Sequence, residues 1–164
     1  MAVSREKWTF SHFFIPIVKL ASTVSRRRAG QEQTIKMTKS DFSKYVTSRT
    51  DYHTMVMFTA MKPERGCAIC QEAASEFHIL ANSIRYTGSQ SDLGKVFFVT
   101  VDYDTHQGDA IFEQMKLSTA PAFYIFPPTK KVSKDDKLDV QKRGFQAEHM
   151  GEFRLFQRLS NVFF

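Results

Sequence analysis

Cysteine is scarce in this chain: only two of its 164 residues are cysteines, and they lie three positions apart. A structural zinc ion takes about four protein ligands. No second cysteine pair follows, and His53, His78, His106 and His149 are scattered without the spacing of a ligand set. We therefore expect no metal site and no cofactor.

Long hydrophobic runs are also missing. Because the chain has no run of about 18 apolar residues, no transmembrane helix is predicted. Neither of the two asparagines, Asn82 and Asn161, begins an Asn-x-Ser/Thr sequence, so the chain is not predicted to be N-glycosylated. The net charge of +6 comes partly from clusters at 26–28 and 130–137, without interleaved aromatic residues. This pattern indicates solvated segments and argues against nucleic acid as a partner.

The chain is predicted to consist of a leading segment and one domain. Residues 1–33 resemble a signal or a linker: Arg5 and Lys7 precede an apolar run at 13–18, although polar residues interrupt that run. Residues 34–160 have the length of a single domain. The hydrophobic fraction of 42% suits a globular core.

Hydrophobic spacing along the rest of the chain predicts alternating helices and strands. The predicted order is a helix from Thr38, a strand at 54–60, a helix from Cys67 to Ile84, a strand at 95–102, a helix at 109–115, a strand at 122–126, an edge strand at 138–143 and a helix at 147–159. Such alternation indicates an α/β fold with a central sheet flanked by helices. The sheet is expected to be largely parallel, with its last two strands antiparallel.

The two cysteines form the sequence Cys67-Ala68-Ile69-Cys70 between a predicted strand and a predicted helix. This position is typical of thioredoxin-type redox dithiols. The helix N-terminus favours the thiolate of Cys67. A thiol with a pKa near 8.5 is about 3% ionised at pH 7, and a pKa of about 7 would make that roughly half. Cys70 could then reach back and resolve a mixed disulfide, although a static disulfide or two buried thiols would fit the same spacing.

A proline begins the third long strand, about fifty residues after the dithiol. Proline at the first position of a strand removes no ladder hydrogen bond, so an ordinary trans Pro121 would also fit. In thioredoxin folds the equivalent proline is cis, lies against the redox pair and leaves a backbone edge free for an extended peptide. Together with the dithiol and the order of elements, this similarity predicts a cis bond between Ala120 and Pro121.

Several separate phrases make the resemblance more specific. They are Val56-Met57-Phe58-Thr59-Ala60, Ile79-Leu80-Ala81-Asn82-Ser83 with Arg85-Tyr86, Val101-Asp102-Tyr103-Asp104, Ala120-Pro121 and Phe126-Pro127-Pro128. Over residues 34–148 the chain resembles the luminal thioredoxin-like domain of the oligosaccharyltransferase accessory subunits, the tumour suppressor candidate 3 and magnesium transporter protein 1 family. Family members follow this domain with four transmembrane helices, so contact with the membrane is expected only through a part absent from this chain.

The resemblance implies a thiol-disulfide oxidoreductase of the endoplasmic reticulum lumen. Its implied partners are cysteine-containing nascent polypeptides and the oligosaccharyltransferase complex. Cys67 would attack, Cys70 would resolve, and the transient mixed disulfide would keep a glycosylation acceptor accessible. The implied peptide-binding residues are Ile69, Thr119, Ala120 and Pro121. The resemblance associates magnesium transport with the family only, and no such role is assigned to this chain.

Two residues depart from ordinary thioredoxins. Met57 stands where those proteins have a buried aspartate, and Gly66 stands where they have a tryptophan before the first cysteine. Without the buried acid, proton transfer from Cys70 should be slow, which predicts slow release of a bound substrate. Two other functions remain open: a general luminal disulfide exchange enzyme, and a non-catalytic peptide-binding module with a structural disulfide.

Overall fold

A computed structural model describes residues 34–48, 51–87, 96–105, 107–128 and 132–152. Two predictions lie outside these residues: the signal-like or linker segment 1–33 and the part of the final helix beyond residue 152.

Four strands and five α-helices are present in the described residues. In chain order they are β1 (Ile35–Lys36), α1 (Lys39–Phe42), β2 (His53–Thr59), α2 (Ala68–Thr87), β3 (Val96–Asp102), α3 (Gly108–Gln114), β4 (Ala122–Phe126), α4 (Val140–Arg143) and α5 (Ala147–Glu152). A π-helical turn, Ser43–Thr47, continues α1, and short 3-10 helices lie at Pro63–Arg65 and Lys134–Asp136. The helix predicted from Thr38 is present, and Thr38 caps it, because its hydroxyl accepts a hydrogen bond from the Asp41 backbone N–H.

The strands form one mixed sheet in the order β1-β3-β2-β4. β3 is parallel to both β1 and β2, whereas β4 is antiparallel to β2. β2 is central and almost entirely buried, as its continuous apolar sequence predicted. β1 was not predicted, because two residues are too few to show a strand pattern.

The predicted edge strand at 138–143 is wrong. Only Lys137 forms a bridge to Tyr124, and the Leu138 N–H donates to the Phe123 carbonyl over 2.9 Å. The chain then turns into α4, because the Asp139 side chain accepts hydrogen bonds from two backbone N–H groups of the first helical turn. The antiparallel neighbour of β4 is therefore β2, and the predicted antiparallel pairing of the last two strands reduces to a single bridge.

Two apolar clusters cover the two faces of the sheet. On one face α2 and α5 pack on the odd-numbered residues of β2, with Phe77 between Phe98 and Phe123 at ring distances of 5.6 and 5.8 Å. On the other face α1 and α3 pack on Phe58, whose ring contacts Phe42 and Phe112 edge to face. Helices therefore cover both faces, as the alternating pattern predicted.

Candidate functional site

The two cysteines lie at the start of α2, after the turn that follows β2. Cys67 immediately precedes the helix and is half-buried, whereas Cys70 lies in its first turn and is fully buried. The two residues are joined by a disulfide, with their Cα atoms 5.3 Å apart. Gly66 turns the chain into the helix with a φ of 58°, a left-handed conformation that glycine adopts without steric cost. Of the two cysteines, Cys67 is the more accessible.

The proline predicted beside this pair is at the same edge of the sheet. The Ala120–Pro121 peptide bond is cis, as predicted. Ala122 pairs with Phe58 near the carboxyl end of β2, the end from which the chain leads to Cys67. Residues 119–121 precede this first ladder pair, so the topology brings the proline and the dithiol together.

The four residues predicted to bind peptide differ in exposure. Ile69, between the cysteines, is 46% exposed and is therefore accessible at the surface. Thr119 is also exposed, whereas Ala120 and Pro121 are half-buried. All four lie on segments at the carboxyl end of β2, so the structure places them on one side of the domain.

An ion pair that sequence reasoning did not assign to the site lies two residues before Cys67. The Arg65 Nε donates to both carboxylate oxygens of Asp104 over 2.8 Å. The Arg65 guanidinium also lies 4.5 Å from the centre of the Tyr103 ring. The Asp104 side chain is only 5% exposed, so this pair is better shielded than a surface salt bridge. It ties the segment before the dithiol to the loop after β3.

Asp102 makes a second connection between the same segments. Its Oδ1 accepts hydrogen bonds from the backbone N–H groups of Met61 over 3.2 Å and Asp104 over 3.1 Å. The Tyr103 N–H also donates to the Thr59 carbonyl over 2.8 Å. Residues 101–104 were part of the family resemblance in the sequence, but only the fold shows that they fix the segment leading to Cys67.

The interior beneath the dithiol has little charge. Met57 is fully buried among apolar side chains of α2, at the position where thioredoxins carry an acid. Within the described part of the chain, no group of three or more histidine, cysteine or acidic residues could hold a metal ion. Farther away, burial and the nearby Asp51 and Tyr45 raise the pKa of Tyr52 to about 12. Disulfide exchange at Cys67 is the chemistry that these residues can support.

The sheet topology and the paired cysteines at the start of α2 define a thioredoxin-like protein. Solved structures agree. The Trx4 domain of ERdj5 superimposes with a TM-score of 0.59 over 80% of this chain and 99% of that domain, at 19% sequence identity. The zinc-bound form of human ERp44 gives a TM-score of 0.58 over 76% of this chain and 32% of that one, at 16% identity. At such identities these likenesses establish the fold alone.

Sequence comparison identifies the family. Residues 22–160 match the model of the OST3 / OST6 family, described as a transporter family, and the chain belongs to that family. Its similar relatives include the subunit MAGT1 of dolichyl-diphosphooligosaccharide–protein glycosyltransferase from Xenopus laevis, 36% identical over 76% of this chain. The Homo sapiens subunit of that name is 38% identical over 63% of this chain. The resemblance found in the sequence is thus confirmed.

The chain covers only 37% of the Xenopus protein and 30% of the human one. Among the described residues, no helix has the length and apolar character needed to span a membrane.

Proposed function

We propose that this chain supplies the thiol-disulfide oxidoreductase domain of an oligosaccharyltransferase accessory subunit, acting in the lumen of the endoplasmic reticulum. Cys67 forms transient mixed disulfides with cysteines of nascent polypeptides, and Cys70 resolves them. Holding the polypeptide delays its folding and assists N-glycosylation. The domain responsible extends over residues 34–160.

One observation carries this proposal: a half-buried cysteine and a fully buried one share a disulfide at the start of α2 in a member of the OST3 / OST6 family. The half-buried Cys67 is the cysteine that can meet a substrate, and the fully buried Cys70 is protected from competing thiols. The subunit naming of the relatives supports the partner complex. The same relatives support the proposed location in the endoplasmic reticulum.

The peptide site is proposed to lie between Ile69 and the segment 119–121. Ile69 offers an apolar side chain beside the reacting sulfur. Thr119, Ala120 and Pro121 precede the first paired residue of β4, so their backbone can align an extended peptide.

Trapping tests the proposal. Full-length Cys70→Ser protein, directed to the endoplasmic reticulum lumen of cells, keeps the attacking Cys67 but cannot resolve. We expect it to accumulate reducible adducts with polypeptides that carry glycosylation acceptors. Full-length Cys67→Ser protein is the matched control. It also has a single cysteine, but this remaining Cys70 is fully buried and cannot attack a polypeptide. Equal adduct levels in the two variants would contradict the capture of polypeptides through Cys67.

A redox titration of the purified full chain in glutathione buffers separates the alternatives. A midpoint between about −270 and −180 mV is expected for an exchange-active pair. A midpoint below about −300 mV would indicate a structural disulfide and hence a peptide-binding module. Rapid turnover of a scrambled-disulfide substrate would instead favour a general exchange enzyme.

A further inference from the structure

Arg65 and Tyr103 contact each other beside the dithiol. Arg65 precedes Cys67 by two residues, so their Cα atoms are separated by at most about 7 Å. Tyr103 follows the last residue of β3, and the Arg65 guanidinium lies 4.5 Å from the centre of its ring. The Arg65 side chain is 45% exposed and Tyr103 is 37% exposed. The two residues therefore form one exposed surface next to Cys67, which we call the Arg65–Tyr103 surface.

The Arg65 guanidinium is held in place by the protein itself. The almost completely buried carboxylate of Asp104 accepts hydrogen bonds from its Nε over 2.8 Å, and the guanidinium lies over the Tyr103 ring. The backbone is also fixed, because the Arg65 N–H donates to the Lys62 carbonyl over 3.0 Å. A donor that is fixed before binding loses little conformational freedom when a ligand arrives.

Most hydrogen-bond donors of this guanidinium are unused. An arginine side chain has five N–H donors, and in the described part of the chain only the Nε–H of Arg65 has an acceptor. The four N–H groups on the two terminal nitrogen atoms are therefore available to a ligand that approaches the exposed side chain from solvent.

The sheet places this surface and the segment proposed to bind peptide on opposite sides of the dithiol. β2 lies between β3 and β4, and the carboxyl ends of β2 and β3 meet the amino end of β4 at one edge of the sheet. Segment 119–121 thus lies on the β4 side, and the Arg65–Tyr103 surface lies on the β3 side. β3 and β4 are two strand spacings, about 10 Å, apart, a distance that three residues of an extended chain span. A polypeptide that extends from segment 119–121 past Cys67 therefore continues onto the Arg65–Tyr103 surface.

Exposed apolar side chains are concentrated at the same end of the domain. Among the described residues, the large hydrophobic side chains that are exposed are Ile69, Ile79 and Tyr103. Ile69 lies between the cysteines and Tyr103 lies beside them, whereas Ile79 is farther along α2. Tyrosine and arginine are both enriched at protein interfaces. The composition of the Arg65–Tyr103 surface is thus that of a surface which binds polypeptide.

The charge around Arg65 favours a neutral acceptor over a carboxylate. The turn before Cys67 and the loop after β3 carry more acids than bases, with Glu64, Asp102 and Asp104 against Lys62 and Arg65. A carboxylate on the ligand would add to this excess of acids, whereas a backbone carbonyl has no net charge. An extended polypeptide brings one backbone carbonyl with every residue.

We propose that the Arg65–Tyr103 surface is a further contact site for the captured polypeptide. The terminal N–H groups of Arg65 donate to a backbone carbonyl near the substrate cysteine, and the Tyr103 ring contacts the adjoining side chain. Because the acceptor belongs to the backbone, the contact suits polypeptides of different sequence. It positions the substrate sulfur for exchange at Cys67. This inference deepens the proposed function and rests on it for the natural substrate.

The rate of mixed-disulfide formation at Cys67 tests the contact. The reduced full chain carrying Cys70→Ser reacts with a disulfide-linked dimer of a blocked, uncharged peptide that has one central cysteine. The Cys67 thiolate attacks one sulfur of the dimer, a new disulfide forms, and the second peptide leaves as a thiolate. Mass spectrometry measures the adduct. Hydroxyethyl disulfide is the reference probe, because it is neutral and has no backbone carbonyl.

Arg65→Lys is the decisive variant, since lysine keeps the positive charge beside Asp104 but lacks the planar fork of donors. Added to Cys70→Ser, it should slow adduct formation with the peptide about three- to ten-fold, as expected for the loss of one hydrogen bond. The rate with hydroxyethyl disulfide should not change. A peptide with aspartate on both sides of its cysteine should show the same relative loss, because the contact is made to the backbone.

Two further variants serve as controls. Tyr103→Phe keeps the ring that lies against the guanidinium. Ile79→Ala shortens an exposed apolar side chain on α2, nine residues or about 14 Å beyond Cys70. Both variants should react with the peptide at the rate of the parent protein.

Three results would overturn the proposal. An equal loss with both disulfides would mean that Arg65 positions Cys67 and not the peptide. A loss confined to the peptide with aspartate would mean that a carboxylate is bound, and an unchanged rate in Arg65→Lys would mean that no contact is made. Each of these results, in a parent protein that reacts with both disulfides, counts against the contact site alone. A parent protein that reacts with neither disulfide would overturn the proposed function as well.

Discussion

At the residue scale, the buried Met57 is expected to affect the rate at which a mixed disulfide is resolved. This fully buried side chain faces the first turns of α2, and its thioether cannot accept the thiol proton of Cys70. Asp102 lies on the neighbouring strand β3, where the register pairs it with Thr59 and pairs Met57 with Thr100. Resolution of a mixed disulfide should therefore be slower than in a protein with an acid on β2 itself.

Met57→Asp should accelerate release of the mixed disulfide, because it places a proton acceptor beneath Cys70. It should also lower the free energy of unfolding by about 2 kcal/mol or more, since a polar group is buried without a designed partner. Stopped-flow release and urea denaturation measure the two effects.

Met55→Asp is the matched control, because Met55 is equally buried on the same face but two residues farther from the dithiol. It should lose comparable stability without faster release. An unchanged release rate in Met57→Asp would contradict the role assigned to the missing acid.

At the element scale, the loop from β3 to α3 positions the dithiol segment. From this loop, Asp102 accepts a hydrogen bond from the Met61 backbone N–H, and Asp104 forms an ion pair with Arg65. Gly108 lets α3 begin against this loop, because a Cβ atom there would overlap the Asp102 carbonyl oxygen and crowd the Tyr103 carbonyl. This glycine is required for close approach of the backbone.

Gly108→Ala should therefore destabilise the domain by about 1–3 kcal/mol through overpacking. It should also displace the loop that holds the segment before Cys67. Urea denaturation measures the stability loss, and the rate at which Cys67 reacts with a small disulfide reports the displacement.

Gly66→Ala provides a contrasting variant at the element scale. A Cβ at Gly66 meets nothing within 4 Å, and the cost there comes only from the left-handed φ of 58°. That cost should be about 1 kcal/mol. Equal stability of Gly108→Ala and the wild type would show that the loop can shift freely.

At the scale of the whole molecule, we expect the fold not to depend on the disulfide. The crosslink closes a loop between positions 67 and 70, whereas the two apolar clusters extend over both faces of the sheet. Constraining so short a loop removes little entropy from the unfolded chain.

Reduction should therefore leave the secondary structure intact and lower the free energy of unfolding by at most about 2 kcal/mol. Circular dichroism and thermal melting with and without dithiothreitol test this expectation, and Cys67→Ser combined with Cys70→Ser should behave like the reduced protein. Loss of structure on reduction would mean that the disulfide is structural, in favour of the binding-module alternative.

Much of the fold was predictable from local patterns. The strands at 54–60 and 122–126 were found because each is a continuous apolar run of strand length, and the helix beginning at Cys67 was found from the helical spacing of its apolar residues. The prediction at 138–143 failed because Asp139 caps a short helix there, and a capping interaction overrides a weak strand pattern in so short a segment. β1 was not predicted, because its two residues form a strand only by pairing with Val99 and Thr100.

The sequence by itself determined the dithiol, its position before a helix, the proline that precedes β4 and the family. These features depend on residue identity and on spacing within a few positions. The tertiary structure alone decided that Arg65 meets Asp104, 39 positions away, and that Thr59 lies across from Asp102. Such contacts follow from strand order and register, which long-range packing of both apolar faces selects.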